Sequence, residues 1–306
     1  MLLLQGMKKN CLLSLLLLLL LVACNQKADN KQLPKTTQKS DSLSLKVAMQ
    51  PTLDALPVLL GKVLGLYEKN GADVSVKIYN AQMDCDTAII GGSCDGVVTD
   101  LVQAEWIKQQ KVGLQYITST NLNWKLISNR LDRIKKISQL SDKMLAVDRH
   151  SATWMLAQHV VDSVKPKYDV FFVQINDVNL RLDMLLNNEM NAVMLPEPQA
   201  SVALNAGNEL LWDGSKGKFQ MGVIAFRERC FTQKLKKKQI EVFTKVYNAA
   251  IDSINRFGLK HYAPVLRKYY GLSDQSIQHL PQQLMFKHTE LPKNKEVEIA
   301  RKFILQ

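Results

Sequence analysis

Two stretches of the chain, Ile89–Ala104 and Leu185–Ala200, overlay without a gap as IIGGSCDGVVTDLVQA and LLNNEMNAVMLPEPQA. Each closes an apolar helix on Gly or Asn, residues that readily take the left-handed backbone at a helix C-terminus. Each continues through Asp or Asn and a small residue into a short β-type run, Gly96–Thr99 or Ala192–Leu195. Each then presents a carboxylate at the strand end, Asp100 or Glu197, ahead of a helix that begins near Gln-Ala. A helix–turn–strand–helix unit used twice predicts two similar α/β lobes. In open α/β sheets, ligands sit beyond the carboxyl ends of the strands, where both acids are placed.

A chain of 306 residues has room for two lobes of ordinary size. With 46% hydrophobic and 22% charged residues, its composition is that of a globular protein. The formal charge of +12 suits an anionic ligand or an anionic membrane surface, although a solvated Lys-rich exterior is the plainer reading. The basic residues are scattered apart from one cluster, Lys234–Lys238, at the start of a predicted helix. No zinc-finger spacing, RNA-binding aromatic signature or basic-zipper heptad accompanies them, so nucleic acid is not an expected partner. His150, His159, His261, His279 and His288 show no metal-ligand spacing, and neither a metal nor a cofactor is expected.

The first 44 residues read as an address and a tether. Lys8 and Lys9 form a positive n-region, Cys11–Val22 is an almost unbroken Leu run, and Leu21-Val22-Ala23-Cys24 closes it. That order marks a secretory signal over residues 1–23, whether Met1 or Met7 is the start. The apolar run is shorter than the roughly 20 residues a membrane-spanning helix needs. The Cys after Leu-Val-Ala resembles the bacterial lipobox, which implies that Cys24 is lipidated and that the body is held to a membrane outside the cytoplasm. Asn25–Ser44 is too polar to bury much. As a coil of about 20 residues it would reach on the order of 25 Å. Of the remaining cysteines, Cys85, Cys94 and Cys230 cannot all pair. Cys85 and Cys94 bracket a helix, where a bridge is geometrically doubtful and small buried residues are the better reading.

From Leu45 onward, strands and helices alternate, which predicts parallel sheets with helical crossovers. Leu45–Met49, Val74–Tyr79, Gly96–Thr99 and Leu114–Thr118 read as strands. Helices are expected over Leu56–Lys69, over Asp84–Ile90 with Asp84 as its cap, and over Leu101–Lys111. Polar Ser119-Thr120-Asn121 then precedes a second series, as a crossing between lobes would. In that series Trp124–Ser128, Met144–Val147, Val170–Val173 and Ala192–Leu195 are the strands, with helices after Ser151 and over Val178–Asn187. Glu209–Trp212 and Met221–Phe226 follow as strands, the latter bringing the chain back to the first lobe. Beyond Arg229 the sequence is helical: Ile240, Phe243, Tyr247, Ala250, Ile251, Ile254 and Phe257 form one apolar stripe, and Lys295–Leu305 is the last helix.

The strand–Pro–helix opening, Gly65-Leu66-Tyr67 through Gly71-Ala72-Asp73-Val74, and the helix–Gly–x–x–Asp–strand unit are individually weak. In this order and spacing they resemble the solute-binding proteins of ABC importers for sulfonates, taurine, nitrate and thiamine-pyrimidine precursors. The likeness runs from about Leu45 to Gly217 and includes Met144–Val147 at the turn into the second lobe and Glu197-Pro198 after its strand. It implies a two-lobed periplasmic-binding-protein type 2 fold with mostly parallel sheets and a helical C-terminal region. Residues 45–120 with 222–306 would make the first lobe and 121–221 the second. It also implies a monomer that captures a small metabolite and delivers it to ABC permease subunits.

Strand-end position and this resemblance together nominate Gln50, Thr52, Gln82, Thr99 and Asp100 from the first lobe, Thr120 at the hinge, and Arg149, Ser151, Thr153, Asn176 and Glu197 from the second. Free N–H groups at the helix start behind Ser151, with Arg149 nearby, fit a sulfonate, phosphate or carboxylate. Ser151 fits equally as a cap of its own helix. Glu197 suits either the dipole of the next helix or a ligand bearing an amine or ring N–H. An enzyme on the same fold, akin to the thiamine-pyrimidine synthases, is the rival of another class, but their Cys-rich motif has no counterpart here. A scaffold lipoprotein binding another protein is the third reading.

Overall fold

The computed structural model describes residues 43–217, 219–282 and 284–305. The expected signal segment, Cys24 and the tether as far as Asp41-Ser42 lie outside the described residues. Among those described, no helix is long and apolar enough to cross a membrane.

The chain first lays down β1 (Leu45–Met49), α1 (Leu56–Val63), α2 (Leu66–Lys69), β2 (Val74–Ile78), α3 (Gln82–Ile90), β3 (Gly96–Asp100), α4 (Leu101–Gln109) and β4 (Leu114–Ser119). It crosses into β5 (Trp124–Ser128), β6 (Met144–Val147), α5 (Ala152–Val164), β7 (Phe171–Gln174), α6 (Val178–Leu186), β8 (Ala192–Pro196), α7 (Gln199–Asn205) and β9 (Glu209–Asp213). It ends with β10 (Gly222–Arg227), α8 (Arg229–Thr232), α9 (Lys234–Phe257), α10 (Ala263–Tyr270), α11 (Asp274–Gln278) and α12 (Asn294–Ile304).

The strands form two five-stranded sheets, ordered β2-β1-β3-β10-β4 and β7-β6-β8-β5-β9. In each, two neighbouring pairs are parallel, and one strand, β10 or β5, runs antiparallel to both of its neighbours. Four of the five strands in each sheet thus share one direction, and the sheets are mostly parallel, as expected. The antiparallel strand in each sheet is the one on which the chain arrives from the other lobe. Such a strand has no helical crossover to dictate a parallel approach. The repeat seen in the sequence is carried through: α3 and α6, like β3 and β8, keep the same 96-residue offset (82 to 178, 96 to 192).

Three local expectations are corrected. The helix expected over Leu56–Lys69 breaks at Gly65, whose φ of 65° is left-handed, so Val63 and Leu64 are exposed while Tyr67 returns to the core. The α3 helix starts two residues early, with Ala81 rather than Asp84 at its cap position, and Asp84 lies in the first turn. Phe257, at the C-terminal end of α9, is half exposed, although Ile240 through Ile254 of the same stripe are buried.

One apolar core lies between β1, α1 and α9, and another lies around Val178, Leu185 and Val193 of the second lobe. A third is continuous from Val97 and Leu114 of the first lobe to Leu126 and Leu145 of the second. Cys85, Cys94 and Cys230 are buried and unpaired. Lys236, from the basic cluster, is also buried and pairs with Asp95 at 2.7 Å.

Candidate functional site

The carboxyl ends of β1, β3 and β6 and the start of the β5 crossing point at one polar cavity of about 20 Å³ between the lobes. Gln50, Thr52, Gln82, Thr99 and Asp100 line it from the first lobe, and Ser151 and Thr153 from the second. Trp124, Leu122 and Pro196 supply apolar wall. A larger cavity of about 310 Å³ adjoins it, bounded by Asn121, Lys125, Glu197, Asp213 and Leu284 among others. Asp54 and Leu122 line both, so the two are one site with an inner and an outer chamber.

Asp100 ends β3 and accepts from the Gln103 N–H (2.9 Å), capping α4. The Ala152 N–H at the start of α5 also favours the ionised form of this carboxylate. The helix N-terminus that fits a ligand anion therefore has one of the chain's own carboxylates beside it. Burial raises the Asp100 pKa to about 6 against these hydrogen bonds. Ser151 caps its own helix: its Oγ accepts from Thr153 N–H at 3.1 Å and donates to the Asp148 carbonyl at 2.6 Å. Thr153 Oγ1 accepts from the Asp148 N–H at 2.8 Å.

Gln82 Nε2 donates to Thr99 Oγ1 and to Asp86 Oδ1, both at 3.1 Å, which fixes the floor of the inner chamber. Gln50 Nε2 holds the Asn80 carbonyl at 2.9 Å. Thr120 does not line either chamber, but its buried hydroxyl donates to Asp54 Oδ2 at 2.8 Å and so positions that carboxylate. Glu197 lines the outer chamber, where it pairs with Lys125 and accepts from the Ser201 N–H at 3.1 Å.

Like Thr120, Arg149 and Asn176 line neither chamber. Arg149 is exposed on the turn before α5 and lines neither chamber, because the backbone after β6 turns it outward while Asp148 turns inward. Asn176 sits on the cleft rim, its carbonyl accepting from the Gln82 N–H at 3.4 Å. There Ala81 and Asp177 form an antiparallel bridge, and the Val178 N–H reaches the Asn80 carbonyl at 3.2 Å. Trp106 of the first lobe stacks on His150 of the second, with ring centroids 5.4 Å apart. The lobes are in contact around the inner chamber.

Three charged residues of the inner chamber were not nominated from the sequence. Asp148 follows β6 directly, and burial, reinforced by Asp86 and Asp100 and opposed by Arg181, lifts its pKa to about 8. Asp54, in the turn after β1, is buried and keeps Oδ1 without a partner. Arg181 is buried on α6, donates to the Ile175 carbonyl at 2.9 Å and leaves Nε unpaired. Its signal was a charge at helical spacing among Val178, Leu182 and Leu185, on the face that packs inward.

No protein-family model matches the sequence. No curated protein matches it either. Solved structures do match in fold. The alkanesulfonate-binding protein SsuA from Xanthomonas axonopodis pv. citri, bound to MOPS, aligns at 16% identity and TM-score 0.69, over 85% of this chain and 90% of that one. The periplasmic nitrate-binding protein NrtA from Synechocystis PCC 6803 aligns at 13% identity and TM-score 0.67, over 81% and 74%. A Candida albicans protein with the generic periplasmic binding protein fold aligns at 15% identity and TM-score 0.62, over 86% and 89%. At these identities the likeness is one of fold: the chain has the two-lobed architecture of the periplasmic binding proteins.

Proposed function

We propose that this chain is a solute-binding protein that holds a small molecule between its lobes and hands it, chemically unchanged, to ABC permease subunits in a membrane. The observation that carries the reading is the convergence of strand ends from both sheets on one polar cavity. The chain passes between the two sheets at residues 120–123, where Leu122 lines that cavity, and again between β9 and β10, as a hinge-closing pair of lobes requires. In this reading residues 45–120 and 222–306 move as one lobe and 121–221 as the other. Gln50, Thr52, Gln82, Thr99 and Asp100 meet Ser151 and Thr153 across the ligand, with Glu197 in the outer chamber. Thr120 positions Asp54, and Asn176 closes the rim. With the leader of residues 1–23 removed, a lipid on Cys24 would tether a monomeric body to a membrane of the bacterial cell envelope, outside the cytoplasm.

The fold likeness to proteins that bind alkanesulfonate and nitrate supports the reading. The test is to denature the purified chain, identify the small molecules it releases by mass spectrometry, and titrate them back. A stoichiometric complex is expected, with stability rising as RT ln(1 + [L]/Kd) and the compound recovered intact. A chain that releases nothing and is stabilised by nothing contradicts the reading. Recovery of a converted product would mark an enzyme instead.

A further inference from the structure

The whole chain is strongly basic at +12, and that sign points to an anion. The lining of the cleft has the opposite balance. Asp54, Asp100 and Asp148 face the inner chamber against Arg181 alone. In the outer chamber, Glu197 and Asp213 join Asp54 against Lys125, which is already paired with Glu197.

A group of carboxylates is not by itself a site, but two further features point to what they would hold. Asp54 is 4% exposed and borders both chambers, yet its Oδ1 has no partner. An unmet acceptor in so buried a place is unfavourable, and a bound donor would relieve it. The N-terminus of α5, the natural seat for an anion, has the buried Asp100 carboxylate beside it, whose ionised form the Ala152 N–H favours. Among the described residues, no three His, Cys, Asp or Glu side chains are grouped so as to hold a metal ion.

We propose that the cleft selects a ligand with a protonated nitrogen centre, such as an alkylammonium, an amidinium or an aminoheterocyclic cation, against anions, with Asp54, Asp100 and Asp148 as its counter-charges. This rests on the solute-binding reading and gives that site its ligand class. The inner chamber, at about 20 Å³, takes one water-sized group, so the cationic centre enters as the lobes part. The remainder extends past Leu122 into the outer chamber of about 310 Å³, a volume at the small end of metabolite sites. Burial pushes the pKa of Asp100 to about 6 and of Asp148 to about 8. A neighbouring cation favours the ionised form of both.

The experiment uses the purified chain and a low-molecular-mass bacterial extract divided on cation and anion exchangers into three fractions. Thermal unfolding is followed with each fraction, and the active compound is then purified and titrated. The fraction held by the cation exchanger is expected to raise Tm. Its active compound should bind Asp148→Asn and Asp54→Asn about 10–100-fold more weakly, as expected for loss of one charge-assisted contact. Both variants keep the shape of the side chain and remove its ability to ionise beside a cation, and circular dichroism with ligand-free Tm verifies their folding. Stabilisation confined to the anionic or unretained fraction, or unchanged affinity in both folded variants, overturns the charge assignment and leaves solute binding standing. No stabilisation by any fraction removes the solute-binding reading and this one with it.

Discussion

Asp148 shows how much a single buried acid can shape the behaviour of the chain. Burial lifts its pKa from 3.8 to about 8, that of Asp86 to about 7 and that of Asp100 to about 6. Each therefore keeps its proton to higher pH in the folded chain than in the unfolded one. The stability they contribute is fully present below about pH 4, where both states are protonated, and is lost as pH rises through about 6 to 8. Calorimetric Tm without ligand should fall across that window, and Asp148→Asn should flatten its upper part and raise Tm at about pH 8. An unchanged slope would contradict the burial argument. Gly222 is a different constraint. A Cβ there would stand 2.2 Å from Thr120 Oγ1 and 2.4 Å from Leu122 Cβ, where β10 passes the crossing into β5. Gly222→Ala should cost about 1–3 kcal/mol in urea unfolding, as overpacking does. At this scale the sequence was readable where a polar residue closes a strand, as Thr99 and Asp100 do, or caps a helix, as Ser151 does. It was misleading at Arg149, because adjacent residues of a turn point opposite ways and the sequence does not say which one faces in.

Elements were the most legible level, since hydrophobic period and cap chemistry are local. Asp177 and Ser151 cap α6 and α5 as their spacing predicts. The antiparallel direction of β5 and β10 was not legible, because it follows from the route of the chain between sheets. The docking of α12 on α4 was likewise hidden, being a contact between distant segments. It centres on Glu105, a buried acid that accepts from Tyr116 at 2.6 Å, Lys108 at 2.7 Å and Arg301 at 3.1 Å. Burial would raise its pKa, but these partners together hold it below the ordinary value. Glu105→Gln should destabilise the chain by about 1–3 kcal/mol at neutral pH, for it leaves buried donors facing a weaker acceptor. Arg301→Ala, removing a half-exposed partner, should cost at most about 1 kcal/mol. Equal losses in denaturant titrations would show that α12, not the buried acid, carries the contact.

At the scale of the molecule, the repeated unit foretold two lobes. The total of +12 is summed over the whole chain, whereas the few side chains that line the cleft set the field a ligand would meet. The central claim is that these lobes part to admit a small molecule and close on it. Ala81 and Asp177 face each other in an antiparallel bridge at the cleft rim, a spacing that matches the Cα separation of disulfides. The most direct measurement is ligand affinity in the Ala81→Cys, Asp177→Cys chain, oxidised and reduced, with the compound recovered from the wild-type protein. Closed by oxidation before the compound is added, the chain should bind none of it and should regain binding on reduction; oxidised afterwards, it should retain the compound through dialysis. Binding that is the same in the oxidised and reduced chains would contradict a site that opens and closes between the lobes.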